Sequence, residues 1–374
     1  MIKVFIVFGT RPETIKLAPI ISEIKKKSEK IDLKICISGQ HKEMVEPLLR
    51  IFDINPDYEL GIMRGNQTLE HITTSVINQV SDLIKTQKPD YLIVQGDTST
   101  AMAASLSAFY NRVKVAHVEA GLRTWNNYEP FPEEINRKVI DSLSHLCFAH
   151  TKEAKSNLLK EHIHESKIKV TGNTVIDALL DVAGREVSLD GPVFDKLPLN
   201  DKKIILVTAH RRENFGEPIR NICKAIRTIA LQRMDVHFVY PVHLNPNIQE
   251  PVYEHLADID NVLLASPMEY VDFIHLMKSS YIIMSDSGGV QEESPSLGKP
   301  VLVLRDVTER PEAVAAGAIE IVGTDADRII DRVYALLDDS ILYHTMSQAK
   351  NPYGDGRAAV RIVRSILDDA GQSS

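Results

Sequence analysis

In 374 residues, 43 Lys and Arg stand against 51 Asp and Glu, a formal charge of -8, and no cation-dense run offers a nucleic-acid surface. The length suits about two ordinary domains, and no stretch approaches the roughly eighteen apolar residues of a membrane span. Cys36, Cys147 and Cys223 are far apart and odd in number, which reads as core thiols in a reducing compartment and gives no support to a zinc site.

The first predicted element is the apolar run Ile2 to Phe8, a strand too short, and too soon followed by Arg11 and Glu13, to be a signal peptide; a cytoplasmic protein is expected. Gly9 ends it, and Thr10 with Glu13 three residues on forms a capping-box pattern, with Pro12 in the first helical turn. An anion at that helix start would meet free backbone donors, the helix dipole, Arg11 and Lys16. Solvated surface cations are the plainer reading of the same pair. The stretch is neither a P-loop, since Thr14 and Leu17 replace the required Gly and Ser/Thr, nor a dinucleotide fingerprint, since it has one glycine.

Further strands are predicted at Leu33 to Ile37, Tyr91 to Val94 and Val113 to Val118, alternating with helical patterns. The third ends in "QGDTST", where Asp97 reads either as a helix N-cap or as a functional carboxylate. The fourth runs into "HVEAGLRT", with Glu119 at its tip and Gly121 freeing the backbone. Then "PFPEEINR" opens a helix in which Glu133 or Glu134 favours the dipole and Arg137 is placed as an i,i+4 partner of Glu133. Carboxylates gathered on one sheet edge raise one another's pKa, one route to a general base and acid near neutral pH.

Between Val170 and Lys203 the pattern weakens, so a domain junction is expected there, at about 170/171. Strands at Ile204 to Val207, His237 to Tyr240, Val262 to Leu264, Ile282 to Met284 and Val301 to Leu304 then repeat the alternation. "TAHRRENFG" sets His210, Arg211 and Arg212 just past the first of them, where an imidazole faces phosphate, transfers protons or only makes a structural hydrogen bond. "SDSGGVQEE" follows another, its Ser285 to Gly289 suited to closing backbone N-H groups on a phosphate before a helix at Val290, with Glu292 and Glu293 expected in that helix's first turn. The fold class is α/β: two Rossmann-like, doubly wound parallel-sheet domains, residues 1–170 and 171–353, facing a central cleft, with a C-terminal helix at about 354–374 packing back on the first.

"GTRPETIKLAP", "QGDTST", "HVEAGLRT", "PFPEEINR", "TGNTVIDAL", "TAHRRENFG", "SDSGGVQEE" and "RDVTERPEAV" together resemble the non-hydrolysing UDP-N-acetylglucosamine 2-epimerase family. The resemblance implies a glycosyltransferase-B-like fold, a homodimer, and interconversion of UDP-N-acetylglucosamine and UDP-N-acetylmannosamine with no cofactor and no metal. UDP is eliminated across C1 and C2 to leave 2-acetamidoglucal and then adds back. By motif position it implies Asp97, Glu119 and Glu133 as acid/base carboxylates, Glu133 rather than Glu134 by its spacing from Glu119. It implies Arg11, Lys16 and His210 at the leaving diphosphate, Ser287, Gly288 and Gly289 at the phosphate turn, Glu293 at the ribose, Phe273 at the uracil and Arg310 as a further UDP contact. Because these groups lie on both domains, domain closure is expected to assemble the site.

Gln40, His41 and His243 match a region where many bacterial members bind a second UDP-sugar as activator, but Glu43 and Asn66 stand where Gln and Arg are usual. Rival readings are a hydrolysing 2-epimerase releasing free N-acetylmannosamine, an epimerase of a related UDP-diacetamido uronic acid, a glycosyltransferase, and a non-catalytic nucleotide-sugar sensor.

Overall fold

Every strand of this protein runs parallel to its neighbours, in two sheets. The computed structural model describes residues 1–39, 42–63, 67–186, 193–199 and 201–372. The first sheet holds β1 (Ile2–Phe8), β2 (Ile31–Ile37), β3 (Tyr58–Glu59), β4 (Tyr91–Gln95), β5 (Lys114–Ala120), β6 (Leu146–Ala149) and β7 (Ile168–Val170), in the order β3-β2-β1-β4-β5-β6-β7. The second holds β8 (Lys203–Thr208), β9 (Val236–Pro241), β10 (Val262–Ala265), β11 (Ile282–Ser285), β12 (Val301–Val303) and β13 (Ile319–Ile321), in the order β10-β9-β8-β11-β12-β13. Both are doubly wound, with the strand order reversing beside β1 in one and beside β8 in the other.

The alternation of β1 shows why helices cover both faces. Val4, Ile6 and Phe8 pack with Leu17, Ile20, Ile21 and Ile24 of the helix Arg11–Lys25, whereas Phe5 and Val7 pack with Val76, Val80 and Ile84 of Leu69–Gln87 and with Ala101, Ala104 and Ala108 of Ser99–Tyr110. In the second sheet Ile205, Val207, Phe238 and Tyr240 pack with Ile219, Ile222, Ile226 and Ile229 of the helix Glu217–Gln232.

The chain divides into two compact units, Met1–Ala178 joined by Tyr353–Ser374, and Leu179–Pro352. The division falls inside the helix Thr174–Gly184 rather than at 170/171. That stretch, "TVIDALLDVAG", shows no weakening of pattern: Val175, Ile176, Ala178, Leu179, Val182 and Ala183 are all buried. The tail helix Ala358–Gln372 places Ala359, Ile362, Val363 and Ile366 in the core on the Val4 face of unit 1.

The long strands coincide with the runs predicted for them, but β3, β6, β7 and β13 were not expected. They span two to four residues each, as the expected β10, β11 and β12 span three or four, so length alone does not set them apart; β6 is paired on both sides, by β5 and β7. Among the described residues, no helix is long and apolar enough to cross a membrane.

Candidate active site

In open parallel sheets, side chains converge where the strand order reverses, beyond the carboxyl ends of the strands. In unit 1 that place lies past β1 and β4. Glu13 fixes the corner after β1: its Oε2 accepts from Gly9 N at 3.0 Å, Thr10 N at 2.8 Å and Thr10 Oγ1 at 2.8 Å, while Oε1 accepts from Thr98 Oγ1 at 2.7 Å. Burial pushes the Glu13 carboxyl above its usual range, against the pull of these four donors. The corner presents Arg11, half-buried and without a hydrogen-bond or ion-pair partner among the described residues, and Lys16 one turn further on.

Lys16 does not wait for a ligand alone. Its Nζ lies 2.5 Å from Glu119 Oε2, an oxygen that also accepts from Gln95 Nε2 at the end of β4. Glu119 reaches them from a bulge within β5: the β5 to β6 register shifts between Val118 and Ala120, and Glu119 takes φ +69°. That left-handed conformation costs a non-glycine residue on the order of 1 kcal/mol or more, and such strain gathers at functional sites.

Asp97 is not the N-cap of the following helix; Thr98 is, its Oγ1 accepting from Ala101 N at 3.0 Å. The Asp97 carboxylate instead accepts from Arg137 Nε at 2.8 Å and lies 2.8 Å from Arg137 Nη2. Arg137 therefore serves Asp97, and also Glu134 at 3.0 Å, rather than pairing with Glu133 as the i,i+4 spacing suggested. Glu134 is fully buried and accepts from Thr124 N at 3.0 Å and Trp125 N at 3.1 Å. Burial works to raise its pKa, but the backbone donors and Arg137 outweigh it and hold the carboxyl below its usual range. Glu133, half-buried at the first position of the helix Glu133–Leu143, has no such partner among the described residues. Glu119 and Asp97 thus each have a cation of their own, Lys16 and Arg137.

In unit 2 the order reverses beside β8 and β11. Asp286, fully buried after β11, gathers the segment after β8: its Oδ2 accepts from His210 N at 2.7 Å, Arg211 N at 2.8 Å and Asn214 Nδ2 at 2.8 Å. The His210 ring stacks on His243 with centroids 5.6 Å apart and Nδ1 3.5 Å from Asp286 Oδ1. Burial lowers the imidazole pKa below its ordinary value; Asp286 pulls the other way, while His243 and Arg211 add to the lowering.

Ser287, Gly288 and Gly289 follow directly. The helix there is Gly288–Glu293, opening two residues before Val290, so Glu292 and Glu293 close it instead of forming its first turn. A Cβ on Gly288 would stand 3.4 Å from Arg310 Nη2 and 3.7 Å from Arg211 Nη2, so two guanidinium groups meet over a backbone without a side chain. Arg310 is braced by Glu292 at 2.5 Å, and its own N-H donates to Thr308 Oγ1 at 3.1 Å. Phe273 is half-buried in the helix Tyr270–Ser279, and Glu293 is half-buried at the end of the short helix. Of the residues matched to an activator region, Gln40, His41 and Asn66 lie outside the described residues, and Glu43 is exposed on Lys42–Ile51.

The family model for UDP-N-acetylglucosamine 2-epimerase matches residues 23–367. A UDP-N-acetylglucosamine 2-epimerase of Escherichia coli (strain K12) is 48% identical over 373 residues, covering 98% of this chain and 99% of the relative. The chain belongs to the UDP-N-acetylglucosamine 2-epimerase family. It is an isomerase, and solved structures agree. A UDP-GlcNAc 2-epimerase from Neisseria meningitidis, bound to UDP-GlcNAc, is 48% identical with a TM-score of 0.85, covering 98% of this chain and 100% of that one. One from Methanocaldococcus jannaschii, in complex with UDP-GlcNAc and UDP, is 35% identical with a TM-score of 0.76, covering 98% and 99%.

Sequence reasoning passed over three side chains of this epimerase that the geometry singles out. Gln95 stood just past the predicted strand Tyr91 to Val94, in a motif read for its aspartate. Arg211 was one of two adjacent arginines, and only the turn after His210 decides which of them faces Gly288. Asp286 sits in the quoted "SDSGGVQEE" motif but was given no role there, since the donors it gathers come from more than seventy residues earlier in the chain.

Proposed function

We propose that this chain interconverts UDP-N-acetylglucosamine and UDP-N-acetylmannosamine without hydrolysis. A base removes the C2 proton, the C–H electron pair becomes the C1=C2 bond of 2-acetamidoglucal, and the C1–O bond breaks with its pair leaving on UDP. UDP then adds back to C1 as C2 takes a proton on the opposite face. The C2 hydrogen is not beside a carbonyl and is barely acidic, so its loss needs both a held base and neutralisation of the departing diphosphate.

The observation that carries this reading is Glu119, bulged within β5 to meet Lys16 and Gln95 at the unit 1 switch point. Asp97, Glu119 and Glu133 supply base and acid. Arg11, Lys16, His210, Arg211 and Arg310 carry the diphosphate charge, with the Ser287, Gly288 and Gly289 backbone as donors. Phe273 stacks on uracil, and Glu293 binds the ribose hydroxyls. The substrate is supported by the Neisseria and Methanocaldococcus relatives, both described as bound to UDP-GlcNAc.

Asp97→Asn and Glu119→Gln should each lower kcat by about 100- to 10,000-fold while leaving UDP affinity within about threefold. Anomeric proton NMR follows the conversion and calorimetry the binding; near-normal turnover in both variants would remove the carboxylate assignment. The same reading takes the chain as a cytoplasmic homodimer, supported by three buried free cysteines and by the exposed neighbours Phe109 and Tyr110. Sedimentation equilibrium should return twice the chain mass, and a monomer at micromolar concentration would contradict it.

A further inference from the structure

Beneath the two carboxylates lies a buried charged network whose centre is His117, on β5 two residues before Glu119 and fully shielded from solvent. Its Nε2 lies 2.7 Å from the carbonyl oxygen of Gly96, the residue before Asp97, and its Nδ1 lies 2.6 Å from Asp141 Oδ1. A carbonyl only accepts, and so does an ionised carboxylate. Burial works to raise the Asp141 pKa, but His117 and Arg123 outweigh that and hold it below the carboxylate range. His117 thus spans the Gly96 carbonyl and the Asp141 carboxylate through its two ring nitrogens.

The network continues past Asp141. Asp141 Oδ2 accepts from Arg123 Nη2 at 2.7 Å, and Arg123 Nε donates to Glu161 Oε1 at 2.9 Å, so one guanidinium lies between two carboxylates. Cys147 Sγ approaches the Asp141 carbonyl at 3.9 Å, and Lys167 Nζ donates to Ser144 O at 3.2 Å nearby. Buried ion pairs of this kind are often no more stabilising than apolar residues of the same volume, so stability alone is a weak reason for the network. Its geometry supplies a better one. Gly96 is held to β5 twice, by its N-H on Val118 O at 3.0 Å and by its carbonyl on His117. Gly121, on the far side of Glu119, donates its N-H to Asp141 Oδ2 at 3.2 Å. The pair of His117 and Asp141 thus fixes the segment that carries Asp97 and brackets the turn that carries Glu119.

We propose that His117, hydrogen-bonded between Gly96 and Asp141, is a positioning residue of the epimerisation, setting where Asp97 stands relative to Glu119. The proposal rests on the epimerase reading. The wild-type enzyme, His117→Asn and His117→Gln are assayed together with UDP-N-acetylglucosamine. His117→Asn is expected to lose about 100-fold in kcat with KM and UDP affinity unchanged, the cost of a displacement near 1 Å in a reacting group. Gln, whose amide reaches toward Gly96 O, should recover part of that loss. A role confined to folding would lower yield and Tm and leave kcat per folded enzyme unchanged; a folded His117→Asn with wild-type kcat overturns the proposal while the epimerase reading stands. An inactive wild type removes the reading and the proposal with it. Should both variants fail to fold, Asp141→Asn, which removes the charge paired with the ring while keeping the side chain's shape, is assayed instead: a lowered kcat with KM unchanged supports the positioning role, and a wild-type kcat overturns it.

Discussion

Glu133 and Glu134 are adjacent and identical in type, yet they are put to different uses. Glu134 is spent on the backbone N-H groups of Thr124 and Trp125 and on Arg137, which holds the loop ahead of its helix, while Glu133 keeps its carboxylate. Motif position chose Glu133 of the pair, but the residues themselves did not show why: i,i+4 spacing assigns Arg137 to Glu133, and only the approach of β4 hands that guanidinium to Asp97. His210 shows a second case. Its pKa is lowered in the free protein, chiefly by burial, so it is mostly neutral near pH 7. An arriving diphosphate adds negative charge beside it and raises its pKa, so the complex holds more proton than the free protein, and affinity strengthens as pH falls between the free and bound values. Calorimetry with UDP-N-acetylglucosamine, which has no phosphate group titrating near neutrality, should show proton uptake as a dependence of heat on buffer near pH 7, abolished in His210→Asn. Heat independent of buffer in the wild type would contradict this role.

At the scale of elements, length alone did not decide what was legible. β12 has three residues, VLV, all apolar, and was expected, whereas β7, IKV, and β13, IEI, are as short, are broken by a charge and gain their pairing from strands already in place. Tertiary contact also decides how the tail helix begins. Asp177, in the helix Thr174–Gly184, accepts from Ala358 N at 3.1 Å and Ala359 N at 2.8 Å, capping a helix that starts more than 180 residues later. No local motif could have announced it. Burial raises the Asp177 pKa despite those donors, so the folded state holds extra proton between its ordinary and raised values, and this carboxyl's contribution to stability falls as pH rises through that window. Asp177→Ala should cost about 1–2 kcal/mol in urea unfolding. Asp177→Asn, which keeps an acceptor and removes the ionisation, should cost less; an Ala variant as stable as wild type would contradict the capping role.

At the scale of the whole molecule, two doubly wound units each bring their chemistry to the point where strand order reverses, carboxylates in one and guanidinium groups over a glycine in the other. The strand ends were legible because an apolar run followed by Gly, Asp, Glu or His stands out against the alternating pattern. The partners at those ends were not, since Lys16 meets Glu119 across 103 residues and Asp286 meets His210 across 76. The central claim is that the C2 proton is lost to solvent while UDP leaves and returns. Proton NMR of UDP-N-acetylglucosamine with the purified enzyme in heavy water tests it most directly. The account predicts UDP-N-acetylmannosamine with deuterium at C2 and the sugar still on UDP at equilibrium. Product that retains its C2 proton, or free N-acetylmannosamine accumulating with UDP, would contradict it.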